Sequence, residues 1–163
     1  MPTDRSTIVR EGVSAGLISA TATTIWFGVL DTLAGSPLAT PIMLGGSLAT
    51  LFTLDAPAAA AASFLLYTVF HFAIFTAIGL LFAWVVSIAE QAPAALIGFI
   101  GLFVLFEVGW VGWTLVLAQG FGDLTWLQVF IANLIGAASM GYYMYRQHPA
   151  LPRRVSQVLI AAE

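Results

Sequence analysis

The sequence predicts an all-α membrane protein: an antiparallel four-transmembrane-helix bundle with an interfacial or re-entrant segment between the first and second spans. Composition is the first ground for this. Of 163 residues, 60% are hydrophobic and 8% charged, with a mean hydropathy of +0.98; soluble domains carry about 25% charged residues. Four long apolar stretches are the second ground. A membrane-crossing helix takes about 20 mostly apolar residues, which places spans at about 12–30, 62–88, 94–118 and 124–145. The third is the placement of the bases, all of them arginine. Arg5 and Arg10 precede the first stretch, Arg146, Arg153 and Arg154 follow the fourth, and none lies between.

That charge bias predicts both termini in the cytoplasm by the positive-inside rule, and an even number of spans agrees. Trp26, Trp113 and Trp126 then fall toward the outer interface, with Trp84, Tyr142, Tyr143 and Tyr145 toward the inner one. The first span is expected to remain uncleaved, since Asp4 and Glu11 flank it and its apolar stretch exceeds the roughly 7–15 residues of a signal core. The length suits one integral membrane domain over 1–163, with an outer loop at 31–57 and a cytoplasmic tail at 146–163. The absence of cysteine excludes disulfide exchange, thiolate metal sites and covalent c-type haem. A net charge of −3, with no basic cluster beyond the termini, gives no support for nucleic-acid binding. The expected partners are the lipid bilayer and other membrane helices.

The links "SIAEQAP" and "QGFGD" are short and force antiparallel neighbours. The connection at 35–57 is different. Its apolar core, Ile42 to Leu54, is too short to span. An interfacial helix is favoured over re-entry, because irregular backbone exposed to lipid leaves polar groups unsatisfied; a re-entrant path would bend at Gly45-Gly46. Asp55 and Asp123 each precede a span and read as N-caps. Asp31 ends the first span, where the helix dipole disfavours a negative charge. It is expected to turn to water or find a partner, and as a site residue it would guard an outer acidic mouth.

Lipid supplies little hydrophobic drive between helices, so small residues mark close contacts. The first span carries Gly12, Gly16, Ala20, Thr24 and Gly28, one every fourth position. The third carries Gly98, Gly101, Gly109 and Gly112, which fall within an arc of roughly 80° at about 100° per residue. The fourth adds Gly136, Ala137 and Gly141. Two strong stripes on a small bundle point to a homo-oligomer or a larger membrane complex.

Polar residues recur at one depth. Glu107 and Asn133 sit near the midpoints of the third and fourth spans, and Thr21, Thr23 and Thr24 near that of the first. His71 lies about one helical turn outward of the second midpoint, roughly 6 Å. An ionisable residue in a span usually faces the bundle interior with a partner, and the expected partner of Glu107 is His71. Asn133 offers a further donor and acceptor, and Tyr67 and Thr68 share the face of His71 at i−4 and i−3. Asn133 and the threonines read first as interhelical glue, whereas a carboxylate at Glu107 is an expensive choice of glue.

Three functions fit these residues. A non-catalytic accessory or scaffold subunit fits the packing stripes and the absence of any catalytic motif. A proton- or cation-coupled carrier or channel, acting as an oligomer, fits a titrating Glu107 assisted by His71. Haem or chlorin ligation by His71 is a third reading. Bis-histidine haem within one chain fails, because His148 lies about 15 residues, roughly 22 Å, beyond the mid-level of the fourth span. No cofactor or metal site is predicted, and no Ser–His–Asp set, H-E-x-x-H helix or phosphate loop appears.

The combination of "WFGVLDTLAGSPLATP", "YTVFHF" and "FEVGW" resembles a family of small, uncharacterised four-span bacterial inner-membrane proteins. The resemblance implies a bacterial inner membrane. It implies no activity and carries no functional residues across.

Overall fold

The computed structural model of the protein describes residues 4–52, 59–90, 92, 95, 97–101, 104–105 and 126–160. Every element among them is helical: α1 Arg5–Leu33, α2 Ala39–Leu51, α3 Ala60–Ala89, α4 Trp126–Gln147 and α5 Leu151–Ile160. Three helices, α1, α3 and most of α4, are long and apolar enough to cross a membrane. They contain nearly all of the spans expected at 12–30, 62–88 and 124–145, and α1 and α3 run past them at both ends. At 29 and 30 residues, α1 and α3 reach about 45 Å, more than the roughly 30 Å hydrocarbon core. Of the expected span at 94–118, residues 95, 97–101 and 104–105 are helical; the rest lies outside the described residues.

The middle position belongs to α1, which packs against α3 on one side and α4 on the other. Both neighbours run antiparallel to it. Along α3 the contacts step from Gly12 against Gly79 and Leu80 to Gly16 against Phe75 and Thr76. They continue to Ala20 and Thr23 beside His71. A Cβ at Gly79 would stand 2.2 Å from the Gly12 carbonyl oxygen and 2.6 Å from the Gly16 nitrogen. Only paired glycines permit that backbone approach. Along α4 the order is Glu11 with His148, Ser19 with Gly136 and Trp26 with Gln128.

α1 stops where its chemistry allows. The Ser36 N–H donates to the Asp31 carbonyl and the Gly35 N–H to the Thr32 carbonyl, at 3.0 and 3.1 Å. With Gly35 at φ 74°, this is the glycine-ended Schellman arrangement. Leu38, at φ 68°, then starts α2 without a capping side chain of its own.

α2 changes the picture of the 35–57 connection. It is one continuous helix through Gly45-Gly46, so the pair is not the bend that a re-entrant path would need. Gly45 is instead a contact: a Cβ there would lie 2.0 Å from the Ser63 carbonyl oxygen. The Phe52 and Phe70 ring centroids are 6.5 Å apart. Seven residues on from Gly45 thus matches seven on from Ser63, and α2 advances along α3 in the same sense. Its 13 residues cover about 20 Å. The main apolar core sits at the opposite end of the bundle, where Ala15, Ala83, Val86, Ala89, Met140, Met144 and Leu151 close together.

Candidate functional site

His71 is buried where α1 and α3 cross. Its Nε2 lies 3.2 Å from the Ala20 carbonyl oxygen and 3.1 Å from Thr23 Oγ1. A carbonyl only accepts, so Nε2 carries the proton and donates. Thr23 passes its own proton to the Ser19 and Ala20 carbonyls, at 3.1 and 3.0 Å, which leaves its oxygen to accept from the ring. Nδ1 then accepts from the Tyr67 hydroxyl at 3.3 Å. The Phe75 and Phe72 rings flank the imidazole at centroid distances of 4.6 and 5.8 Å. A neutral imidazole satisfies every one of these contacts, and both ring nitrogens are engaged by protein groups. An axial bond to a haem or chlorin would have to displace one of them.

From His71 a cavity of about 110 Å³ opens toward the Asp31 end of the bundle. Phe27, Leu38, Pro41, Phe64 and Phe72 give it apolar walls, and Thr24, Gly28, Tyr67 and Thr68 complete its lining. The two threonines return their hydroxyls to carbonyls one turn back, Thr24 to Ala20 at 2.8 Å and Thr68 to Phe64 at 2.7 Å. Their methyl groups are then free to line the space. No described atom lies within 4 Å of a Cβ at Gly28, so this glycine borders the cavity instead of joining the Gly12–Gly16 contact.

Asp31, on the cavity rim, is 6% exposed. Its Oδ2 accepts from the Thr40 N–H at 2.9 Å and its Oδ1 from the Thr40 hydroxyl at 2.6 Å. Of the two expected outcomes, water or a partner, Asp31 takes the partner. It supplies the N-terminal cap that Leu38 lacks, satisfying an orphan N–H in the first turn of α2.

The structure brings together His71, Tyr67, Thr68, Thr24, Asp31 and Thr40 around this space. Asn133 is half-buried on α4, three residues and about 4.5 Å along the axis from Gly136, which meets Ser19 and Thr23. Glu107, Gly109 and Gly112 lie outside the described residues. Gly98 and Gly101 meet no described atom within 4 Å of a Cβ.

A second polar cluster was not anticipated from sequence. His148, just past α4, faces Glu90 through Nδ1 at 2.8 Å and Glu11 through Nε2 at 3.1 Å. Arg154 on α5 donates to the Glu90 carbonyl at 2.7 Å. One ring thus joins the start of α1, the end of α3 and the α4–α5 turn. Depth was the available signal: span arithmetic already puts all three side chains at one end. Among the described residues, no group of three His, Asp or Glu side chains is arranged to hold a metal ion.

Comparison with protein-family models, curated proteins and solved structures finds no match to this chain.

Proposed function

We propose that the chain is a four-span protein of the bacterial inner membrane, with both termini cytoplasmic, serving as a non-catalytic accessory or scaffold subunit. It would act in a homo-oligomer or a larger membrane complex. The division of its small residues carries this reading. Gly12, Gly16 and Gly79 are used inside the chain, whereas Gly98 and Gly101 meet no described neighbour, and Gly109 and Gly112 extend the same stripe in sequence. In lipid, close backbone approach is what one helix offers another. The orientation is supported by the arginines. The Glu11–His148 pair brings the start of α1 and the end of α4 to one end of the bundle, and every basic residue of the chain flanks one or the other. Native mass spectrometry from lipid nanodiscs tests the assembly. A dimer or larger species is expected, reduced to monomer by the double variant Gly98→Leu/Gly101→Leu; a monomeric wild type overturns the proposal.

The cavity that reaches His71 favours a second reading, a proton- or cation-coupled carrier or channel in which Glu107 titrates. Proton-coupled flux in liposomes is then expected to vanish in Glu107→Gln. Full flux in that variant would remove this reading.

A further inference from the structure

The Asp31 carboxylate is buried beside an apolar cavity, and among the described residues no Lys or Arg pairs with it. Both oxygens accept hydrogen bonds from Thr40. The sequence holds no lysine and no arginine between Arg10 and Arg146. Arg10 precedes Asp31 by about 30 Å along α1, and Arg146 lies near His148 at that same far end. The start of α2 offers the equivalent of about half a positive charge, but Asp31 also sits in the last turn of α1, whose dipole opposes it. A buried charge compensated only in part is costly to hold.

The remaining walls narrow the chemistry. Phe27, Phe64, Tyr67 and Phe72 line the same space, and aromatic faces attract cations. The acceptors open to an N–H cation there are few: His71 Nδ1 is taken by Tyr67, which leaves the spare lone pairs of the Asp31 carboxylate. A cation without N–H groups suits such a lining better than a primary amine. The cavity, about 110 Å³ and open at its Asp31 end, admits a cation of only a few heavy atoms.

We propose that the cavity between Asp31 and His71 binds a small methylated ammonium cation, with Asp31 as its counter-charge and the aromatic rings as its cage. This is independent of the scaffold reading. Three probes of one shape test it: tetramethylammonium, neutral tert-butanol and anionic pivalate, followed by saturation-transfer NMR on the full chain in nanodiscs. Tetramethylammonium is expected to bind about tenfold or more tighter than tert-butanol, to weaken with added salt, and pivalate not to bind. Asp31→Asn should bring the cation down to the level of the alcohol. Gly28→Leu, which adds a side chain where none touches, should block both. Equal binding of cation and alcohol by the wild type, no binding of the cation, or a preference that survives Asp31→Asn overturns the proposal. The wild-type comparison decides even where Asp31→Asn fails to fold.

Discussion

At the His148 end of the bundle, α1, α3, α4 and α5 close on alanine, valine and methionine side chains, and one imidazole bridges two carboxylates from separate helices. At the Asp31 end, α1, α2 and α3 surround a cavity, and a carboxylate–threonine pair ties α1 to α2. The glycine crossing of α1 on α3 belongs to the first end, where Gly12 and Gly16 bracket Ala15 of that core. The difference shows how a chain with few polar residues distributes rigidity. One end spends its ionisable groups on joining helices, and the other holds a carboxylate and an imidazole against open space. Function is therefore sought at the second end, and stability at the first.

The largest effect is expected at the crossing. Gly79→Leu would force a Cβ into the backbone of α1, at 2.2 Å from the Gly12 carbonyl oxygen, and helices cannot yield as a flexible side chain can. A loss of about 3 kcal/mol or more is expected, read as a collapse of the folded fraction in denaturant titrations. Gly28→Ala, one helix face with nothing nearby, should instead be neutral or gain up to about 1 kcal/mol from helix propensity. Similar losses at both glycines would contradict the contrast between a sealed crossing and an open cavity wall.

Next comes the ring at the packed end. His148→Ala leaves Glu11, whose side chain is 9% exposed, without its ring partner, and removes the link from α1 to α3. Hydrogen bonds to charged groups contribute about 1.5–3 kcal/mol. A loss of about 2 kcal/mol is expected, with hydrogen exchange quickening at the start of α1 and along α5 while the His71 region stays protected. Equal quickening at both ends would mean that the ends do not behave separately.

Much of this was legible in sequence, for definite reasons. Lipid-facing helices are apolar on nearly every face, so composition alone reports α1, α3 and α4. The Gly12–Gly16–Ala20 spacing also announced a contact face. Its partner did not: Gly79 stands alone in "TAIGLLFA", and a single glycine has no period. Gly45-Gly46 reads equally as a bend or as a flat contact, and the Ser63 backbone decides for contact. Tyr67 beside His71 followed from i−4 spacing; depth put Thr21, Thr23 and Thr24 at one level without singling out Thr23, and the expected partner of His71 was Glu107. The joining of His148 to Glu11 and Glu90 spans sequence separations of 137 and 58. No local pattern reports such pairs; only the shared end of the bundle does.

The smallest effect concerns Asp4, at the packed end but in water. It precedes α1, and its carboxyl is held below the usual carboxylate range chiefly by the Ser6 hydroxyl, with the Ser6 and Arg5 backbone N–H groups adding to the shift. A folded value below the unfolded one means that the carboxylate form stabilises the fold. That contribution is complete above the unfolded value and is lost as pH falls through the folded one. Asp4 is fully exposed, so solvent screens the contribution. In Ser6→Ala the carboxyl should titrate at higher pH by carbon-13 NMR, while the unfolding midpoint above about pH 5 stays where it is. A midpoint shift as large as that of His148→Ala would show that exposed charge at this end does the work assigned to the buried ring. The contrast between the two ends rests on that inequality: a screened pair moves a titration curve, and a buried bridge moves the fold.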